Sequence, residues 1–197
     1  MKTIIFDFDG VIHDTFELAY KVNVELFGEN FTRENYRDFF NGNIFESPKV
    51  SEDVSKKFFE LQKEAFEFLK IDENIKENLE KLATKYPLFI ISSNKEEILH
   101  TYFQNNNFTH IFKEILGAET HRSKVAKFEY LFEKYALKAQ DCIFVTDTLG
   151  DILEGKKAGV KVIAVDFGFH KRDRLEKGEP FKIVSSFDEI LEVIENI

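Results

Sequence analysis

Asp7 and Asp9 stand two residues apart where the β-branched and aromatic run Thr3-Ile4-Ile5-Phe6 gives way to Asp7-Phe8-Asp9-Gly10. Alternate side chains of an extended chain share a face, so both carboxylates point to one side while Phe8 points to the other. Two further apolar runs end in polar residues. Leu88-Phe89-Ile90-Ile91 ends in Ser92-Ser93-Asn94, and Cys142-Ile143-Phe144-Val145 ends in Thr146-Asp147-Thr148-Leu149-Gly150-Asp151. Asp7, Asp9 and Asp147 near one point would repel one another strongly unless a cation neutralised them. Oxygen-only ligands suit a hard ion, and Mg²⁺ takes one or two carboxylates, keeps waters and is completed by a phosphate oxygen. Magnesium is the economical expectation. The plainer alternative is a turn or helix cap at the strand end, which is how an isolated Asp-x-Asp reads.

For these residues to meet, the runs that carry them must lie side by side. Thr3 to Phe6, Leu88 to Ile91, Cys142 to Val145 and Val160 to Asp166 read as buried strands, with Ile183-Val184 as a fifth. Ile75 to Tyr86 reads as an amphipathic helix closed by Pro87, and Lys124 to Tyr135 as another. This alternation predicts an α/β fold, a Rossmann-like parallel sheet with helices on both faces. In such sheets ligands sit at the carboxyl ends of the strands. Asp7, Asp9, Ser92, Ser93, Asp147 and Asp151 can therefore gather in one crevice.

From about Thr15 to Leu69 the apolar spacing turns helical, with Phe16, Ala19 and Tyr20, then Phe58, Phe59, Leu61, Ala65, Phe66 and Leu69. Asn41-Gly42-Asn43 and Ser47-Pro48 interrupt it with loop chemistry. The expected organisation is a core domain over 1–14 and 73–197 with a small all-helical insertion over 15–72. There is no internal repeat.

Asp7-Phe8-Asp9-Gly10-Val11-Ile12, followed by Asp14-Thr15, resembles the first motif of the haloacid dehalogenase superfamily. Ser92 after its strand resembles the second motif, and the pair Asp147 and Asp151 the fourth. The motifs fall in the family's order, and the core that carries them covers the chain apart from the helical insertion. The resemblance implies a magnesium-dependent phosphatase acting on a small phosphorylated metabolite such as a sugar phosphate, phosphoglycolate or a nucleotide. Asp7 would attack phosphorus and form an aspartyl-phosphate. Asp9 would protonate the leaving alkoxide and then activate water, which requires proton exchange near neutral pH. Mg²⁺ would be held by Asp7, the Asp9 carbonyl and Asp147, with Asp151 orienting a metal-bound water. Ser92, Ser93 and a lysine would hold phosphate oxygens.

That lysine is the weakest correspondence. The region reads His121-Arg122-Ser123-Lys124-Val125-Ala126-Lys127 without the family's frequent proline. Lys124, at the start of a predicted helix, is the first choice, with Lys127 and Arg122 as alternatives. Thr146 stands where the family often has glycine. The insertion matches in position the cap that many members carry, and Phe39 to Asn43 is a candidate for the part that faces the site. Gly155 and Ala158-Gly159-Val160 read as structural. The five histidines show no metal-ligand spacing and are expected at the surface or in loops.

Composition narrows the class further. With 27 basic and 36 acidic side chains the net charge is −9, which offers no general attraction to nucleic acid or anionic membranes. The single cysteine, Cys142, permits no intramolecular disulfide, and the short apolar run after Met1-Lys2 does not read as a signal peptide. No stretch approaches the roughly 20 apolar residues that span a bilayer. A cytoplasmic enzyme with no obligatory protein partner is expected. The enzymatic alternative is a phosphomutase of the β-phosphoglucomutase type. A dehalogenase proper is disfavoured by Asp9, which that chemistry does not use. A non-catalytic binding or regulatory protein on the same fold is the alternative from another class, disfavoured because the nucleophile and metal ligands are all retained.

Overall fold

Strand β1, Thr3–Phe6, takes the centre of the sheet because all four of its side chains are buried. The structure, a computed structural model, describes residues 2–197. Around β1 lie β2 (Leu88–Ile91), β3 (Phe112–Leu116), β4 (Cys142–Thr146), β5 (Lys161–Val165) and β6 (Lys182–Val184). They form one parallel sheet in the order β3-β2-β1-β4-β5-β6. The register sets Ile5 opposite both Phe89 of β2 and Phe144 of β4. The pleat then sends Ile4 and Phe6 to one face and Ile5 to the other.

Nine helices complete the described residues: α1 (Phe16–Phe27), α2 (Arg33–Asp38), α3 (Glu52–Phe66), α4 (Glu73–Ala83), α5 (Glu96–Asn105), α6 (Lys124–Tyr135), α7 (Leu149–Lys157), α8 (Arg172–Leu175) and α9 (Phe187–Glu195). Ile4, Phe6, Leu88 and Ile90 pack with Leu79 and Leu82 of α4, Tyr102 and Phe103 of α5, and Ile190 and Ile194 of α9. Ile5, Phe89, Phe144 and Val162 pack on the opposite face with Phe128 and Leu131 of α6 and Ile152 of α7. Helices thus cover both faces, as the alternating pattern predicts. The helix expected over Ile75 to Tyr86 runs from Glu73 to Ala83, its start fixed by the Asp72 carboxylate, which accepts from the amides of Asn74 and Ile75.

The strand β3 gives no clear signal in the sequence. Its Lys113 and Glu114 break the apolar run of Phe112, Ile115 and Leu116, and as an edge strand β3 needs fewer buried side chains. Between β1 and α4 the chain supplies only helices, α1 to α3, and two short 3-10 turns at Phe39–Asn41 and Ile44–Glu46. Phe16, Ala19, Phe31, Tyr36 and Phe39 of this segment make their own aromatic cluster, which Phe169 from beyond β5 joins. Cys142 is fully buried in β4, where burial pushes its thiol up to about 11 and leaves it unreactive. None of the described helices is long and apolar enough to cross a membrane.

Candidate active site

The three polar strand ends converge. The Asp7 amide donates to the Val145 carbonyl at 2.9 Å, which carries the β1–β4 pairing one residue past the strand and sets the buried Asp7 side chain beside β4. Asp147 follows β4 directly and is fully buried. Asp151 lies in the first turn of α7, where its amide donates to the capping Thr148 hydroxyl at 3.3 Å. One carboxylate oxygen of each of Asp7, Asp147 and Asp151 lies within 4.8 Å of the others. The Asp9 carboxylate stands outside this trio. It accepts from the Thr15 hydroxyl at 2.7 Å and, at 3.4 Å, from the Ser92 hydroxyl and the Asn94 amide group.

Lys124, the first residue of α6, is buried and donates from Nζ to Asp7 Oδ2 at 2.6 Å and to Asp151 Oδ2 at 2.7 Å. Lys127 is buried too, but donates to the Ser92 carbonyl. Arg122 is exposed and pairs with Glu52 at 3.5 Å. Of the three candidate cations only Lys124 touches Asp7. Ser93 faces the cavity that Asp7, Asp9, Asp147 and Asp151 line, whereas Ser92 is fully buried and its hydroxyl accepts from the Asn94 amide at 3.0 Å.

Burial dominates the electrostatics, because an ionised carboxylate loses its hydration there. Burial raises Asp7 well above the usual carboxylate range, against the attraction of Lys124 and aided by the charges of Asp151 and Asp147. It raises Asp147 to about 8, opposed by the hydrogen bond from the Phe169 amide. It raises Asp9 as well, with the Thr15 and Asn94 hydrogen bonds opposing. Asp151 is the exception: burial pushes it up, but Lys124 and the hydrogen bonds from Asp7, Lys124 and Thr146 outweigh that and hold it below its ordinary value. Burial also works against the Lys124 ammonium, yet Asp151 and Asp7 together hold it above the ordinary lysine range. Lys127 has no such compensation, and burial together with the nearby Lys124 charge lowers it to about 7.

Asp147 Oδ2 accepts from the Phe169 amide at 2.7 Å, while Oδ1 is buried with no hydrogen-bond partner among the described residues. A buried carboxylate oxygen left unpaired is costly. An all-oxygen group of three acids with one unpaired oxygen fits a hard divalent cation, so the residues present suit Mg²⁺.

Gly10 makes room for Asp147. Its φ of +75° favours glycine, and a methyl group there would overlap the Asp147 carboxylate. A left-handed alanine alone costs about 1–2 kcal/mol, and at this chain length each kcal/mol lowers the unfolding midpoint by about 2–4 °C. Gly10→Ala is therefore expected to unfold at least ~2 °C lower. An unchanged midpoint in a thermal melt would refute this account.

The helical segment closes over the site. Phe40, Gly42 and Asn43 line the same cavity as the acids, so the loop expected to face the site does so. Gly42 meets Gly150 of α7 so closely that a side chain on Gly150 would overlap the Gly42 backbone. Asn43 donates to the Arg122 carbonyl at 3.1 Å and to Glu154 at 3.3 Å. Phe169, whose amide holds Asp147, sets its ring against Phe16 and Phe40 with centroids 5.1 and 5.2 Å away.

Several contributors escape a reading of the sequence. Thr15 and Asn94 were visible only as neighbours of motif residues, yet they hold Asp9. Thr146, in the position often glycine, donates to Asp151 at 2.7 Å. The Phe169 amide carries no side-chain signal beyond the preceding Gly168. His170 lies in a loop, as expected, but is fully buried, accepts from the Leu149 amide at 3.0 Å and lies 2.9 Å from the Arg37 carbonyl. Burial lowers it to about 4, which makes it a neutral tie between α7 and α2. His13 packs its ring edge-on against Tyr102 and does not line the cavity of the acids.

Comparison with known proteins points one way. The family model for haloacid dehalogenase-like hydrolases matches residues 4–165. A phosphoglycolate phosphatase from Vibrio parahaemolyticus is 22% identical, over 98% of this chain and 96% of its own length. One from Pasteurella multocida is 27% identical over 62% of this chain, which spans 56% of that relative. Among solved structures, a haloacid dehalogenase-like family protein from Streptococcus pneumoniae superposes with a TM-score of 0.82 at 21% identity, covering 98% of each chain. A conserved haloacid dehalogenase-like protein from Agrobacterium tumefaciens gives 0.78 at 21% identity, over 100% of this chain and 98% of that one.

Proposed function

The chain belongs to the haloacid dehalogenase-like hydrolases, and on that premise we propose that it is a magnesium-dependent phosphatase that hydrolyses a small phosphorylated metabolite in the cytoplasm. The observation that carries this reading is Lys124 bridging Asp7 and Asp151, with Asp147 beside them and Asp9 on the same cavity. The core of the enzyme is 1–14 and 73–197, and 15–72 is its cap.

Asp7 attacks the phosphorus of the monoester, the bond to the leaving oxygen breaks, and an aspartyl-phosphate forms on Asp7. Asp9, raised by burial, gives its proton to the leaving oxygen. A water then attacks the aspartyl-phosphate while Asp9 takes its proton, which releases inorganic phosphate and restores both acids. Lys124, Ser92, Ser93 and backbone amides hold phosphate oxygens. Mg²⁺, held by Asp7, the Asp9 carbonyl and Asp147 with Asp151 orienting its water, would supply the positive charge that offsets repulsion between Asp7 and the phosphate dianion. The curated relatives are named phosphatases, which favours hydrolysis over the mutase alternative.

The direct test is phosphate release from a panel of phosphomonoesters with and without Mg²⁺. Release that needs the metal supports the reading, and its absence from every compound refutes it. Metal binding carries its own pH test. Asp147, raised to about 8, is protonated below that pH and must lose its proton to ligate. Mg²⁺ affinity is therefore expected to rise with pH between 6 and 8, with at least one proton released on binding. Calorimetry in buffers of different ionisation enthalpy measures both. An affinity that is flat over this range would contradict the role given to Asp147.

A further inference from the structure

A second cavity, of about 80 Å³, opens between the helical segment and the strand ends. Phe39, Phe45, Val54, Phe58 and Phe59 give it an apolar wall. It shares Asp9, Phe40, Ile44, Ser93 and Phe169 with the cavity of the acids, so it begins where the proton donor stands. Asp9 is the only ionisable acid or base among its lining residues apart from the Tyr36 phenol, and no lysine, arginine or histidine lines it. Two of its polar side chains already serve the protein: Asn23 donates to the Ala19 carbonyl at 2.8 Å and Gln62 to Asn94 at 2.7 Å.

We propose that this cavity receives the leaving group, and that the substrate is the phosphomonoester of a small, uncharged, largely apolar alcohol. This deepens the phosphatase reading and rests on it. Hydrolysis adds one water and yields the alcohol and inorganic phosphate, with the Asp9 proton passing to the alkoxide as the P–O bond breaks. A carboxylate on the leaving group, as in phosphoglycolate, would lie among aromatic rings beside Asp9 with no cationic side chain in the lining. A polyol would meet a mostly apolar lining whose hydroxyls are only those of Tyr36, Ser55 and Ser93. A water-sized group needs ~10–15 Å³ of such space, so the cavity holds about half a dozen of them and excludes a nucleoside.

The test is kcat/KM for the n-alkyl phosphates from methyl to hexyl, alongside phosphoglycolate and glucose 6-phosphate. The alkanols differ little in basicity, so their differences report on the cavity. Expected is a rise of about fourfold per added methylene up to butyl, with phosphoglycolate and glucose 6-phosphate at least tenfold below butyl phosphate. Ser55, in the cavity wall on α3, supplies the second arm: Ser55→Lys should reverse the order of butyl phosphate and phosphoglycolate. If that variant does not fold, Phe58→Ala should flatten the alkyl series instead. A flat series in the parent, or phosphoglycolate or glucose 6-phosphate equal to butyl phosphate, overturns the proposal and leaves the phosphatase reading intact. No release from any of these compounds overturns the proposal, and no release from the wider phosphomonoester panel overturns the phosphatase reading as well.

Discussion

Asp7→Asn is expected to reduce phosphate release by about 10⁴-fold or more while the protein stays folded. The amide keeps the shape of the side chain but cannot take up the phosphoryl group, so the two-step route is closed. Stability should hold or improve. Burial raises Asp7 well above the usual carboxylate range, which means the fold disfavours its charge. Replacing it by a neutral isostere removes that penalty, and the Lys124 ammonium keeps Asp151 as a partner at 2.7 Å. The check is a phosphate assay together with a thermal melt. Turnover at the wild-type rate would overturn the mechanism.

Lys124→Met is expected to be costly in both respects. The substitution keeps an apolar side chain but strips the one ammonium that touches Asp7 and Asp151, both buried. Breaking a buried pair by removing one partner typically costs about 3–5 kcal/mol, which corresponds to roughly 6–20 °C in the unfolding midpoint at this size. Turnover should fall by about 10²–10³-fold, the usual loss when one group that stabilises developing charge is removed. Combining it with Asp7→Asn should recover part of the stability, because one of the two stranded carboxylates is then gone. Lys127→Met is the contrast: it removes a lysine already lowered to about 7 that donates to the Ser92 carbonyl. Its cost should stay near 1–2 kcal/mol. A Lys124→Met protein with parental turnover, beside an inactive Lys127→Met protein, would reverse the assignment of the phosphate-binding cation.

What the sequence disclosed follows from where each signal is stored. Thr3 to Phe6, Leu88 to Ile91 and Cys142 to Val145 are apolar throughout because both faces of a parallel sheet are covered, so they are legible as strands. The strand Phe112–Leu116 is not, since an edge position tolerates Lys113 and Glu114. Asp7, Asp9, Asp147 and Asp151 are legible as candidates because an acid directly after an apolar run is unusual without a task. Thr15, Asn94 and the Phe169 amide contribute through geometry alone, and no residue type announces a backbone donor. The sequence puts Lys124 first by its place at the helix start, but only the structure separates it from Lys127, because both lie on one buried face of α6 three residues apart and differ in which oxygen each Nζ reaches.

The central place of β1 also bears on how the chain folds. Residues 3–6 must find partners at 88–91 on one side and 142–146 on the other, so the strand that carries Asp7 is secured only by pairings with segments far along the sequence. Such long loops must be closed before the pairing repays their entropy, which slows folding. During synthesis the first strand made is not flanked on both sides until β4, about three quarters of the way along the chain, has emerged. A nascent chain that stops before β4 holds its nucleophile on an unfinished sheet edge, the state in which α/β proteins are most exposed to misassembly.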